Sequence, residues 1–571
     1  MYKKIRLFRL WLPVLLSLCL LSACGSAKPA AGTPETGAGA PNDAPASTNV
    51  PMPASADTTE ISWFLSVGVV PGKWDTSQYV MKKITEATGV TVTSTTPADD
   101  ADTKLNLMIV NGDLPDIITF TNGTLIRDLI DAGLVWSVEE FFNAYLPESH
   151  FVSGGFPNDI KQSLIARDGG WYAIPSHILS QDNREIWGLN DATRELWLST
   201  DYRENRGVIF NKTIMDDLGI TEEDVQTESG VLAAFEKVKN ANLTVDGASV
   251  YTLLANGKNF SGGWQSDGGT TGTLALFFGG MPVDSAGNYQ SLYYSSQYKR
   301  GIEFLNICGQ RGYLEPNQFT LDDAASEAAC RTGRVFCFIG NTANTGFAYA
   351  GEWYTPGPIL SDGGESPVLG VTTTVGRGWL QTFIAKDTKK PEAVARFLEY
   401  MSTEEGLMTW VYGEPGVDYV ENEYGLLTAT EEGRNHADNA SVTGLGAFWA
   451  FANQNFDQRY MDPSNDGGIV PQCAFGTHEK TVVYNSTALE LPSGYMEANP
   501  DMVAITTEIL TYAQTELANI ILQADENTFE SRYQAMLDQL NTLGLPEVDA
   551  YINEAVQKNY ETFGYRLQAI N

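Results

Sequence analysis

Apolar and polar positions along the chain fall into two periods, and short passages of each succeed one another from about residue 60 onward. Ile61-Ser62-Trp63-Phe64-Leu65 is an apolar run that predicts a buried strand. Asp75 with Gln78 three residues later predicts a capping box opening a helix. In that helix Val80, Ile84 and Ala87 share one face, and Gly89 supplies a left-handed cap. Val90 to Thr93 then predicts the next strand. A second passage repeats the pattern, with a helix over Lys104 to Val110, a turn at Asn111-Gly112-Asp113-Leu114-Pro115 and a strand over Asp116 to Phe120. Such strand-helix-strand passages wind an α/β sheet. Farther on, Pro391 and Glu392 open a helix whose Val394, Phe397, Leu398 and Met401 recur at i, i+3, i+4 and i+7. Near the C-terminus Tyr533, Met536, Leu537 and Leu540 form a stripe that Gly544 and Pro546 stop, and Tyr551, Ile552, Ala555 and Val556 mark another helix.

The first 59 residues lack these periods. Lys3, Lys4, Arg6 and Arg9 precede an almost unbroken apolar run from Leu10 to Leu21, the layout of a secretory signal, too short to span a bilayer comfortably. The run ends in Leu21-Ser22-Ala23-Cys24, which resembles the bacterial lipobox. The resemblance implies a lipoprotein signal peptide over residues 1–23, an acylated (palmitate-bearing) Cys24, and a protein anchored on the extracellular face of the cell membrane. A plain signal peptide cut after Ala23 is the alternative. Residues 24–59 are nearly all small or polar and predict a flexible, disordered tether. The remaining 510 or so residues have room for two large lobes or three smaller domains.

Charge and cysteine content narrow the partners. The net charge is −35, and −39 once the signal's four basic residues are gone. Such a surface repels nucleic acid and anionic lipid. Of six cysteines, Cys19 would leave with the signal, and the lipobox resemblance implies that Cys24 is lipidated. Cys308, Cys330, Cys337 and Cys473 remain, without metal-ligand spacing; one or two disulfides are permitted outside the cell, their pairing open. The chain has no HExxH, no G-x-S-x-G elbow, no phosphate loop and no dinucleotide fingerprint, and its four histidines are scattered.

Several short motifs carry a family resemblance by their order and spacing. They are Ala87-Thr88-Gly89-Val90, Leu105-Asn106-Leu107-Met108-Ile109, Gly112-Asp113-Leu114-Pro115-Asp116-Ile117-Ile118, Gly170-Trp171-Tyr172-Ala173-Ile174-Pro175 and Gly207-Val208-Ile209-Phe210-Asn211-Lys212. Gly378-Trp379-Leu380-Gln381-Thr382-Phe383-Ile384-Ala385 and Tyr412-Gly413-Glu414-Pro415-Gly416-Val417 follow. Together they resemble family 1 extracellular solute-binding proteins, of the Gram-positive sugar-binding lipoprotein type. Family members often have Asn where this chain has Lys390. The resemblance implies an α/β, two-lobed type 2 periplasmic-binding-protein fold with a hinge between the lobes. One lobe would hold residues 60–180 plus 376–428 and the other residues 181–375 plus 429–571. It further implies a monomeric binding component of an ABC importer, without catalysis, that closes on a carbohydrate or oligosaccharide and presents it to an ABC permease.

A sugar site needs flat rings for stacking and polar groups for hydroxyls. Eleven tryptophans lie past the signal. The ligand-binding candidates are Trp74 after the first strand, Trp171, Trp264 in a glycine-rich stretch, Trp353, Trp379, Asp116 heading a strand, and Tyr172, which resembles the family's cleft tyrosine. Trp449 also has a loop-like context, and Arg184, Glu185, Asp201 and Arg206 are weaker polar candidates. For each ring, core packing competes with ligand contact. No cofactor is expected, although calcium has oxygen donors in Asp99-Asp100-Ala101-Asp102 and Thr221-Glu222-Glu223-Asp224; neither follows the EF-hand pattern. Two other functions fit the same residues. A peptide or other solute as cargo predicts a charged cleft, and a secreted polysaccharide-degrading lipoprotein predicts two carboxylates across an aromatic groove.

Overall fold

The computed structural model describes residues 58–569 apart from 69, 98–99, 122, 200–204, 262–268, 347–351, 373–377, 464–468, 492–494 and 497. The signal, Cys24, Asp99, Asp201 and Trp264 lie outside the described residues.

The apolar runs become strands. β1 (Thr59–Leu65), β2 (Val90–Thr95), β3 (Ile117–Phe120) and β4 (Ile174–Pro175) come first. A second sheet is then laid down by β5 (Arg206–Asn211), β6 (Tyr251–Ala255), β7 (Val335–Asn341) and β8 (Trp353–Tyr354). The chain returns to place β9 (Gln381–Ile384) in the first sheet. The first sheet has the order β2-β1-β3-β9-β4 and the second β8-β5-β7-β6. β1 is parallel to β2 and β3, whereas β9 runs antiparallel, with Phe383 opposite Ile118.

Both faces of the first sheet are covered, which is why β1 reads as continuous rather than alternating apolar. Trp63 points into one core with Ile84, Phe397 and Phe448, while its neighbour Phe64 points into another with Leu105, Phe120 and Phe383. The second sheet has its own large core, built from Phe210, Leu253 and Phe336 with the C-terminal helices α4 (Pro500–Gln523), α5 (Phe529–Leu543) and α6 (Leu545–Phe563) numbered after α1 (Tyr79–Thr88), α2 (Ala101–Asn111) and α3 (Pro391–Ser402). Among the described residues the chain passes between the two cores three times, giving a two-lobed α/β molecule.

Three details depart from the sequence expectations. Leu445, Phe448, Phe451 and Phe456, placed beyond residue 428 with the second lobe, pack in the first core. The rings of Phe448 and Phe451 stand 6.3 and 5.6 Å from that of Trp63. α1 begins at Tyr79 after an uncapped Gln78, because Asp75 Oδ1 instead accepts the amide of Ser77 at 3.0 Å and makes a turn. α2 starts earlier than expected, with Asp100 accepting from the Thr103 amide at 3.0 Å. As expected, the helix α5 stops at Gly544, φ 105°, and Pro546 then sits in the first turn of α6. Cys308, Cys330, Cys337 and Cys473 are all buried free thiols, so neither permitted disulfide is formed.

Candidate functional site

In open α/β sheets ligands enter outside the carboxyl ends of the strands. For the first sheet this edge comprises the ends of β1, β3 and β4 and the start of β9. The backbone of Ser66 continues the edge by donating to the Thr119 carbonyl at 2.8 Å, and the Ser66 hydroxyl finds no partner among the described residues.

The turn into β9 is rigidly specified. Gly378 has φ 74°, and a Cβ there would lie 1.8 Å from the carbonyl oxygen of Ser176. Buried Ser176 is bonded to Leu380 in both directions, its amide donating to the Leu380 carbonyl at 2.9 Å and its hydroxyl accepting the Leu380 amide at 3.0 Å. Trp379, between these fixed points, is 50% exposed. Its ring stands 6.1 Å from that of His177, a non-glycine residue at φ 49° whose Nδ1 lies 2.7 Å from the Ser176 hydroxyl. A large exposed ring on a backbone that cannot relax is a platform for stacking.

The corresponding edge of the second sheet is polar. β6 is followed by Asn256, which is buried at φ 21° against Gly340. Its side-chain oxygen accepts from Asn344 Nδ2 at 3.0 Å, and Asp323 Oδ1 accepts from Asn344 and Asn259 at 3.3 and 2.9 Å. Beside them, Thr342 after β7 donates through both amide and hydroxyl to the Asn205 carbonyl, each at 2.8 Å. A pocket of about 230 Å³ adjoins Arg206 at the start of β5, with Tyr289, Tyr484 and Glu490 in its wall. One edge thus offers a ring and the other a set of amides and a carboxylate, the two kinds of group a sugar needs.

The remaining candidates are not gathered at these edges. Asp116 lies at the opposite, amino end of β3. There it accepts from the Ser62 amide and hydroxyl at 2.8 and 2.9 Å and from Thr388 Oγ1 at 2.7 Å, with Lys390 3.8 Å away. Burial alone would raise its pKa, but these partners together hold it below its ordinary value, and its task is to tie β1 to the loop after β9. Trp171 is a buried ring whose indole donates to the Ala173 carbonyl, and Trp353 is buried on β8. Trp74 is half-buried, donates to Thr85 Oγ1 at 2.9 Å and packs 6.2 Å from Phe448. Tyr172 lies half-buried against the core that contains Phe64, and Trp449 is also half-buried. Arg184 is half-buried on the helix Gln181–Trp187 and Glu185 is exposed, accepting from Gln181. Of the described candidates, Trp379 and Arg206 adjoin strand ends that lie at a carboxyl edge.

Asn256, Asn344, Asp323 and His177 were not among the sequence candidates. The Asn256-Gly257 pair directly after an apolar strand was the available signal, since such pairs accept positive φ. Nothing local marked the other three. The proposed calcium loops are otherwise engaged: Asp100 caps α2, and Asp224 Oδ2 accepts the Thr221 amide at 2.9 Å. Among the described residues no group of three or more His, Cys, Asp or Glu side chains could hold a metal ion.

Residues 80–414 match the family model described as bacterial extracellular solute-binding protein. The chain is 22% identical over 310 residues to the fructooligosaccharide ABC transporter substrate-binding protein FusA of Streptococcus pneumoniae, the match covering 54% of this chain and 52% of the other. The chain thus matches about half the length of that curated relative. Its fold is like that of the same S. pneumoniae protein in complex with kestose, with 15% identity, 88% of this chain and 100% of the other covered, and a TM-score of 0.61. It is also like that of an HMO-binding, ABC-transporter-associated solute-binding protein from Bifidobacterium longum infantis, with 12% identity, 88% and 99% covered, and a TM-score of 0.57.

Proposed function

The chain belongs to the bacterial extracellular solute-binding proteins, and on that premise we propose that it captures an oligosaccharide between its lobes and presents it to an ABC permease. The observation that carries the cargo is the pairing of edges: Trp379 held out on the Gly378 turn, and the Asn256, Asn344 and Asp323 cluster on the other sheet. A pyranose or furanose ring stacks its C–H face on an indole and directs its hydroxyls to amides and carboxylates. Fructooligosaccharide, the cargo in the name of the S. pneumoniae relative, heads the list of ligands to try. In this reading Cys24 carries the lipid that keeps the monomer at the membrane where the permease sits. Lobe closure around the sugar is the signal the permease reads.

The test is isothermal titration of the protein from Thr58 onward with kestose and longer fructans, then with other oligosaccharides and with peptides. Saturable binding of a sugar, weakened about 10- to 100-fold by Trp379→Ala, is the expected outcome. Binding of peptides alone would replace the cargo, and sugar binding indifferent to Trp379→Ala would remove the site.

A further inference from the structure

A cavity of about 340 Å³ lies in the first lobe beside β4, with Trp379 outside its lining. Two connections between the lobes form much of its wall. The chain leaving β4 contributes Ile178, Asn183, Ile186 and Trp187, and the returning chain contributes Phe451, Asn453 and Arg459. The two are bonded to each other at its rim: Asn183 Nδ2 donates to Asn453 and Asn455 at 2.8 and 2.7 Å, and Arg459 donates to the Trp187 carbonyl at 2.8 Å. The opposite wall comes from the helix His150–Ser153 and the end of α3.

The chemistry of the lining selects the ligand. Phe151, Phe156, Trp187 and Phe451 offer ring faces, with Ile174 and Leu407 between them. The charged groups are already hydrogen-bonded. Glu399 Oε2 lies 2.9 Å from His150 Nδ1 and accepts the Ser149 hydroxyl at 2.5 Å, Glu404 accepts the Tyr460 hydroxyl, and Arg459 holds the Trp187 carbonyl. An incoming ion would have to displace one of these bonds and would recover only part of the hydration it loses. Ser402, Thr403 and Asn453 leave a few hydrogen-bonding groups on the wall. The volume is that of a small-molecule site.

We propose that this cavity is a second ligand site, separate from the sugar cleft, for a neutral, flat, largely apolar small molecule bearing one or two hydrogen-bonding groups. The probe is 4-fluorophenol, which has one ring and one hydroxyl and is neutral at pH 7, followed by its fluorine NMR signal as the protein is titrated in. Saturable binding is expected. Two variants fill the site from different sides: Ile186→Trp in the half-buried wall and Ser153→Trp at the exposed mouth, where folding tolerates a larger side chain. Each should weaken the probe at least 10-fold, while Trp379→Ala leaves it unchanged. The proposal is overturned by no saturable binding up to millimolar probe, by binding that survives both fillings, or by binding lost in Trp379→Ala, which would place the probe in the cleft. Failure here leaves the oligosaccharide reading intact, because that reading is tested with a different ligand at a different residue.

Discussion

Each lobe buries a carboxylate, and the two are treated in opposite ways. In the first lobe burial alone would raise the pKa of Glu399, but His150 and the Ser149 hydroxyl bring it below its ordinary value. In the second lobe Asp549 on α6 accepts one bond, from the Ser291 amide at 2.9 Å, while its other oxygen has no partner among the described residues. Burial therefore wins, and its pKa is pushed up to about 7. Burial sets the cost of a charge, and the partners decide which protonation state the fold prefers. The consequences for stability have opposite signs. Glu399 titrates lower in the folded than in the unfolded chain, so its contribution is present above the unfolded value of 4.5 and lost as pH falls through the folded one. Asp549 titrates higher when folded, so its contribution is full below the unfolded value of 3.8 and lost as pH rises through about 7.

Four substitutions break or sharpen this contrast. Glu399→Ala strips the buried pair of its acid and leaves His150 and Ser149 facing an empty site. It should cost about 3–5 kcal/mol in denaturant melts at neutral pH, and a loss under about 1 kcal/mol would show that solvent already screens the pair. Asp549→Asn keeps the shape and the acceptor for Ser291 while removing the charge. It should raise stability by about 2–4 kcal/mol at pH 8 to 9, at roughly 1.4 kcal/mol per unit of pKa displacement, with little change at pH 4. A parallel shift at both pH values would mean that the gain is not electrostatic. Gly378→Ala forces a Cβ onto the Ser176 carbonyl and strains a positive φ; about 1–3 kcal/mol should go, together with sugar affinity, because Trp379 is displaced. Trp379→Ala should change the melting free energy by less than about 0.5 kcal/mol while weakening the oligosaccharide. A clear loss of stability in that variant would recast the ring as structural.

Much of the fold was legible because its determinants are local. The run Ile61 to Leu65, the Gly89 cap and the stripe Val394, Phe397, Leu398 and Met401 each carry their own signal, and β1, α1 and α3 appear where those signals stand. Local capping was harder to read, since Asp75 can serve a turn as well as a helix, and the choice went to the turn. The site was legible in kind but mostly not in position. A tryptophan beside a glycine looks the same at Gly170-Trp171 and at Gly378-Trp379. The first is buried with its indole spent on Ala173, and the second stands half in solvent. Asp116 shows the same limit: its place at the head of β3 was read correctly, yet the parallel pairing of β1 with β3 puts that end away from the carboxyl edge.

The sequence by itself determined the acidic charge, the alternation of strands with helices, the exclusion of the familiar catalytic motifs and the family, because each resides in composition, period or short ordered motifs. The tertiary structure alone decided which aromatic ring is exposed, that Asn256, Asn344 and Asp323 converge, and that Phe448 and Phe451 rejoin the first core. It also decided that Glu399 meets His150 while one oxygen of Asp549 is left without a partner among the described residues. These depend on residues far apart in the chain. Such pairs meet only when strand order and lobe crossings bring them together, and no local pattern encodes which pairs those are.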